Sequence, residues 1–199
     1  MKALVAAVGG AVVLATSGGV ANPGTDGRWA RTIVLQKRDL PTFRAEAPLS
    51  SRTCLPAYLD GQTAFARSQH FSSGGKSVTA RAWIFPEERH AKGGFRNLVA
   101  RDYAQCLKRE GVVGARILVT SQKPISGIQN GDRFRALRVT VHLSQSGTTF
   151  KVYVEIFFVR HGRAVADAAF TSSDRPFGIA AETAAIEKMT ARMQRPPRG

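Results

Sequence analysis

Four side chains toward the C-terminus are spaced to act together: Arg138, Tyr153, Glu155 and Asp167. Residues 137–144 alternate strictly, with Leu137, Val139, Val141 and Leu143 on one side and Arg138, Thr140, His142 and Ser144 on the other. A turn at Ser146-Gly147 sets a register in which every pair on the first side is apolar. On the second side Arg138 meets Glu155, Thr140 meets Tyr153 and His142 meets Lys151. The next turn is Arg160-His161-Gly162-Arg163. A two-residue loop at His161-Gly162 would set Asp167 opposite Ile156 in the core, so a three-residue loop with Gly162 left-handed is expected. That choice pairs Ile156 with Ala166 and makes Glu155 and Asp167 neighbours beside Arg138.

Two adjacent carboxylates push one pKa upward, and acid/base sites use that effect. A hydrolase or lyase employing Glu155 and Asp167 is one reading. The same polar groups on a face that also carries Tyr153, Phe157, Val165 and Ala169 describe a ligand site. The bland reading is a solvated sheet face whose charges pair across strands for about 0.2–1 kcal/mol each.

The elements that must position these residues follow from periodicity. Residues 28–41 have helical spacing at Trp29, Ile33 and Val34, with a short strand as the competing reading, and Thr42–Thr53 reads as irregular. Residues 62–72 and 76–85 form a hairpin about Ser73-Gly74-Gly75. Pro86-Glu87-Glu88 opens one long helix whose apolar face runs from Phe95 to Leu107 and which stops at Gly111. Strands follow at 115–120, 133–144, 149–159 and 163–171, with a long turn at 126–132, and a last helix covers about 177–193. The expected fold is a single α+β domain: a twisted antiparallel sheet of about six strands packed against two main helices, in the order α-β-β-α-β-β-β-β-α.

Residues 1–21 read as a signal peptide, with Lys2, an apolar run from Ala3 to Ala15, and small residues Gly19 and Ala21 before the cleavage point. An uncleaved anchor is the alternative. Residues 22–29 have linker composition, 30–193 form the domain, and 194–199 are a basic tail. Cys54 and Cys106 are the only cysteines. Export favours a disulfide between them, worth about 4 kcal/mol through loop entropy; two buried thiols are the alternative.

The chain carries Lys+Arg 29 against Asp+Glu 14, for a net charge of +15. Spread along the sequence, this charge favours anionic partners. A small or polymeric anionic ligand of the cell envelope fits, as does an anionic membrane or cell-wall surface. No RNA- or DNA-binding module or aromatic set is present, so nucleic acid is not expected. Nucleophile elbows, zinc motifs and phosphate-binding loops are absent, the four histidines lack ligand spacing, and no metal or cofactor is implied.

The layout resembles a known family. Val34-Leu35-Gln36-Lys37-Arg38-Asp39-Leu40-Pro41 precedes Cys54, a hairpin carrying VTARAWIF, a helix holding Cys106, a β-meander and a final helix. This order is similar to the PknH-type extracytoplasmic sensor-like domains of actinobacterial envelope proteins and related small lipoproteins. The resemblance implies a secreted or envelope-located, non-catalytic domain that binds an undefined ligand on its sheet, with Cys54 and Cys106 bridged. The chain lacks the kinase domain and the lipid-attachment cysteine of such relatives, so no attached signalling activity carries over.

Overall fold

The computed structural model describes residues 23–48, 54, 58–110, 116–125, 133–173 and 175–197. The proposed signal peptide, the turn at 126–132 and the stop at Gly111 lie outside them. Among the described residues the order is α1 (Pro23–Ile33), a 3-10 turn (Lys37–Asp39), β1 (Arg44–Glu46), β2 (Ala64–Arg67), β3 (His70–Ser73), β4 (Lys76–Ile84), α2 (Glu88–Val99), α3 (Tyr103–Glu110), β5 (Arg116–Pro124), β6 (Arg133–Gln145), β7 (Thr148–His161), β8 (Ala164–Ser173) and α4 (Ile179–Met193). The fold is α+β, but the expectation of about six strands and two main helices is overturned: among the described residues one antiparallel sheet of eight strands carries four α-helices. The strands run β1-β3-β4-β8-β7-β6-β5, with β2 also on β4.

Each extra element has a physical cause. The stretch read as a linker begins α1, because Asp26 is buried and bonded to Thr63 and Arg163, while Trp29, Ala30 and Ile33 bury against the sheet. The strand read at 62–72 is split by Ser68, whose N–H donates to Ala80 O while its Oγ accepts the Ala80 N–H. The single helix read after Pro86 is two. Asp102 Oδ1 accepts the Gln105 N–H at 2.8 Å, and Gln122 Oε1 takes the Tyr103 N–H at 2.8 Å, giving α3 its own N-terminal cap. Asp39, in the Asp-Leu-Pro segment, holds Arg192 of α4 through two bonds of 2.6 and 2.8 Å and accepts the Gln36 N–H.

Both sheet faces carry helices. On face A, Trp29, Ile33, Ile186, Met189 and Met193 of α1 and α4 pack on Ala80, Ala82, Ala164, Ala166, Ala168, Phe157 and Phe170. On face B, Ala91, Phe95, Leu98 and Tyr103 of α2 and α3 pack on Trp83, Val165, Leu137, Val139, Ile156 and Phe158. Cys54 and Cys106 are disulfide-bonded with Cα atoms 5.7 Å apart, tying the segment before β2 to α3.

The β6–β7 register is the one the alternation dictates, with Arg138 opposite Glu155 and Leu137 opposite Ile156. The β7–β8 register is not. His161 pairs with Ala164 around Gly162-Arg163, so Ile156 faces Ala169, Phe158 faces Asp167 and Glu155 faces Phe170. This differs by an odd number of residues from the expected pairing, so every β8 side chain moves to the other face. The turn is held by tertiary contacts. Arg163 donates to both Asp26 oxygens at 3.0 and 2.6 Å and to Phe85 O, and lies over the Trp29 ring at 5.0 Å.

Candidate functional site

Register places Arg138 directly across from Glu155 on face A, and α4 decides what becomes of the pair. Arg138 Nε and Nη2 both donate to Glu155 Oε1, at 2.8 and 2.5 Å. Glu155 Oε2 accepts the Phe177 N–H at 2.8 Å, just before α4 begins. Glu182, in the first turn of α4, reaches down to share a side-chain hydrogen bond with Glu155. Both carboxyl groups are buried, whereas the Arg138 side chain is 37% exposed. Burial, then the hydrogen bond and charge of Glu155, push Glu182 up to about 8. Burial works to raise Glu155 too, but the bonds from Glu182, Phe177 and Arg138 outweigh it and hold its pKa low. At neutral pH the pair therefore holds one proton, on Glu182. Lys76 closes the cluster, donating to Phe177 O at 3.1 Å and sitting over the Phe177 ring at 4.8 Å.

Asp167 is not part of this cluster. It lies on face B, buried, with Arg81 Nε donating to its Oδ1 at 3.1 Å. Burial raises its pKa against the pull of Arg81. Its Oδ2 and the Nε1 of Trp83 are buried without a hydrogen-bond partner in the structure. The expected Glu155–Asp167 neighbourhood is thus overturned, and with it the hydrolase or lyase built on that pair: the sheet itself separates the two carboxylates. Between β7 and β8 alone, nothing offers Asp167 a partner in the core. Its partner, Arg81, comes from β4, on the other side of β8.

Arg138, Tyr153 and Glu155 do share face A. Helix α4 packs on β7 and β8, and the remainder of this face, on β5, β6 and the far part of β7, carries no helix among the described residues. Register arranges it in rows. Lys123, Arg138 and Glu155 form one; Ser121, Thr140, Tyr153, Ser172 and Lys76 form the next; His142 and Lys151, then Arg116 and Ser144, lie further along. Arg116, Ser121, Lys123 and Lys151 are exposed, and Thr140, His142 and Tyr153 half-buried. Ile179, the first residue of α4, is 51% exposed. The surface is a step beside a helix. Of two concavities, the one of about 480 Å³ by the α2–α3 junction shares only Ser121 with the strip, and the one of about 390 Å³ between α1 and the end of α4 shares none of its residues.

Sequence reasoning missed Glu182, which it did not single out, Lys123, which lies beyond the strand read at 115–120, and Lys76, whose strand was paired only with the one before it. Its placement of Thr140, His142 and Lys151 beside Arg138 holds. Among the described residues, no three His, Cys, Asp or Glu side chains converge to hold a metal ion.

A mixed helix-on-both-faces α+β domain, with one sheet face half open, is the class that these features define. Its architecture is similar to the crystal structure of the extracellular domain of PknH from Mycobacterium tuberculosis, with a TM-score of 0.52 and 9% sequence identity, covering 85% of this chain and 97% of that one. The likeness is one of fold. No protein-family model and no curated protein matches the sequence.

Proposed function

We propose that this protein is a non-catalytic, sensor-like ligand-binding domain working outside the cytoplasm, with its recognition surface on the open half of face A. Arg138 and Tyr153 form its centre, with Thr140 and Lys123 beside them. The observation that carries this reading is the mounting of Arg138. A fully buried carboxylate grips it from below while its side chain keeps 37% exposure beside exposed polar neighbours. A side chain pre-positioned in this way loses little freedom when it binds. Glu155 serves as the support of Arg138 rather than as a ligand contact, and Asp167 has no part in the surface.

The extracytoplasmic placement draws on three independent features: the signal-peptide pattern of residues 1–21, the Cys54–Cys106 disulfide and the fold shared with an extracellular domain. In this reading the chain is cut after Ala21, the domain starts with α1, and residues 194–199 form a basic tail.

The test is amide NMR of the disulfide-intact chain titrated with a panel of envelope-derived small molecules and polymers. Binding should move the Thr140 and Tyr153 signals, leave the ligand chemically unchanged, and be lost in Tyr153→Ala. Perturbations confined to face B, or turnover of the ligand, would refute the reading.

A further inference from the structure

We propose that the open half of face A binds an extended, phosphate-bearing linear polymer lying along the strands beside α4. This inference rests on the binding face assigned above and names the chemistry of its occupant. On this strip register gathers Arg116, Lys123, Arg138, Lys151 and His142. Glu155 is the one carboxylate there among the described residues, and it is already taken up by Arg138, the Phe177 amide and Glu182. Lys123, Lys151 and Arg116 make no ion pair among the described residues, whereas elsewhere Arg81, Arg89, Lys92, Arg160, Arg163 and Arg192 each meet a carboxylate. Arg38, Arg44, Arg96 and Lys108 likewise make no ion pair among the described residues, but the strip sets its unmatched cations on one face and in register.

Geometry selects a chain over a small anion. His142 and Lys151 lie four residues beyond the row of Lys123 and Arg138, which is about 14 Å along the strands at roughly 3.4 Å per residue. Arg116, in the row of Ser144, lies about 20 Å from the same starting row. One phosphate cannot span these positions, but a chain with a charge on every unit can. The hydroxyls of Ser121, Thr140, Ser144 and Tyr153 fall between the cations and supply donors along the path.

The same geometry disfavours a membrane. Helix α4 packs on the adjoining half of the sheet and stands about 10 Å above it, so a flat surface would meet α4 before the strip. A flexible chain can lie in the step. Tyr153 and the His142 imidazole are the aromatic rings in the strip rows among the described residues, too few to stack the successive bases of a nucleic acid.

The experiment measures binding of the disulfide-intact chain to linear polyphosphate by calorimetry over a range of salt. Two double variants of equal charge are compared: Lys123→Gln with Lys151→Gln on the strip, and Arg89→Gln with Lys92→Gln on α2 over the opposite face. All four side chains are exposed, so both variants fold. The strip variant should bind roughly tenfold more weakly, with the slope of log K against log salt reduced by about 0.7 per charge removed; the α2 variant should match the parent within about twofold. Equal losses in both variants would mean a total-charge effect and overturn the proposal, as would tighter binding to phosphatidylglycerol vesicles than to the polymer. A neutral ligand that moves the Tyr153 and Thr140 signals where polyphosphate does not removes the polyanion and leaves the binding face. No response there to any ligand removes both.

Discussion

The carboxyl of Glu182, in the first turn of α4, shares a hydrogen bond with the carboxylate of Glu155 in β7, and both are shut away from solvent. The contact fastens the start of a helix to the middle of a sheet, at the border of the open strip. It holds only while the pair keeps its proton.

Stability should therefore decline on the alkaline side. The folded-state pKa of Glu182, about 8, lies above its ordinary value of 4.5, so folding takes up a proton between these limits. Stability contributed by the protonated form is full below pH 4.5 and falls as pH rises towards 8. Glu155, held below its ordinary value, acts in the opposite sense and loses its contribution as the solution becomes strongly acidic. Glu182→Gln keeps a donor for Glu155 and removes the titration. Its Tm, measured from pH 5 to pH 9, should vary less than that of the parent and exceed it at the alkaline end; parallel curves would exclude a shared proton.

Breaking the disulfide should cost about 2–4 kcal/mol, because the bridge spans a sequence separation of 52 and holds α3 against the segment before β2. Urea unfolding of Cys54→Ser with Cys106→Ser, beside the parent with and without reductant, measures it. A reductant-insensitive midpoint in the parent would contradict the bond.

The Arg81–Asp167 pair should behave as a buried ion pair. Asp167→Ala strips the carboxylate from beside a buried guanidinium and should destabilise by about 3–5 kcal/mol. Arg81→Met combined with Asp167→Leu should recover most of that loss, since the surroundings are apolar. Chemical denaturation of the two variants decides the matter: a double variant as unstable as the single one shows that the site needs its charges.

Two adjacent glycines of α2 should respond with opposite signs. A Cβ on Gly94 would lie 2.6 Å from Cζ of the buried Phe85 ring, so Gly94→Ala should cost about 1–3 kcal/mol. Nothing lies within 4 Å of a Cβ on Gly93, and Gly93→Ala should gain up to about 1 kcal/mol of helix propensity. Thermal melts of both report the difference, and equal shifts would mean that the Phe85 ring yields.

Local patterns carried much of this molecule in its sequence. The alternation of residues 137–144 and the Ser146-Gly147 turn determined the β6–β7 register, and thereby that Arg138 meets Glu155 and Thr140 meets Tyr153. The cysteine pair was legible because its even count, read with the expected export, pointed to a bond. The register depends on neighbours along the chain and across one tight turn, whereas the cysteine pair, 52 residues apart, was legible from that count and not from geometry. The tertiary structure alone decided the rest. Asp167 turned to face B because a guanidinium waits on β4, and the Gly162-Arg163 turn was chosen by Asp26 of a helix far away in sequence. Residues 23–29 became helical because burial of Asp26 and Trp29 outweighed their loop-like composition, and Glu182 became half of a buried pair only when α4 docked. A buried charge is stable only beside its partner, and a pairing between distant strands leaves no periodicity in either one.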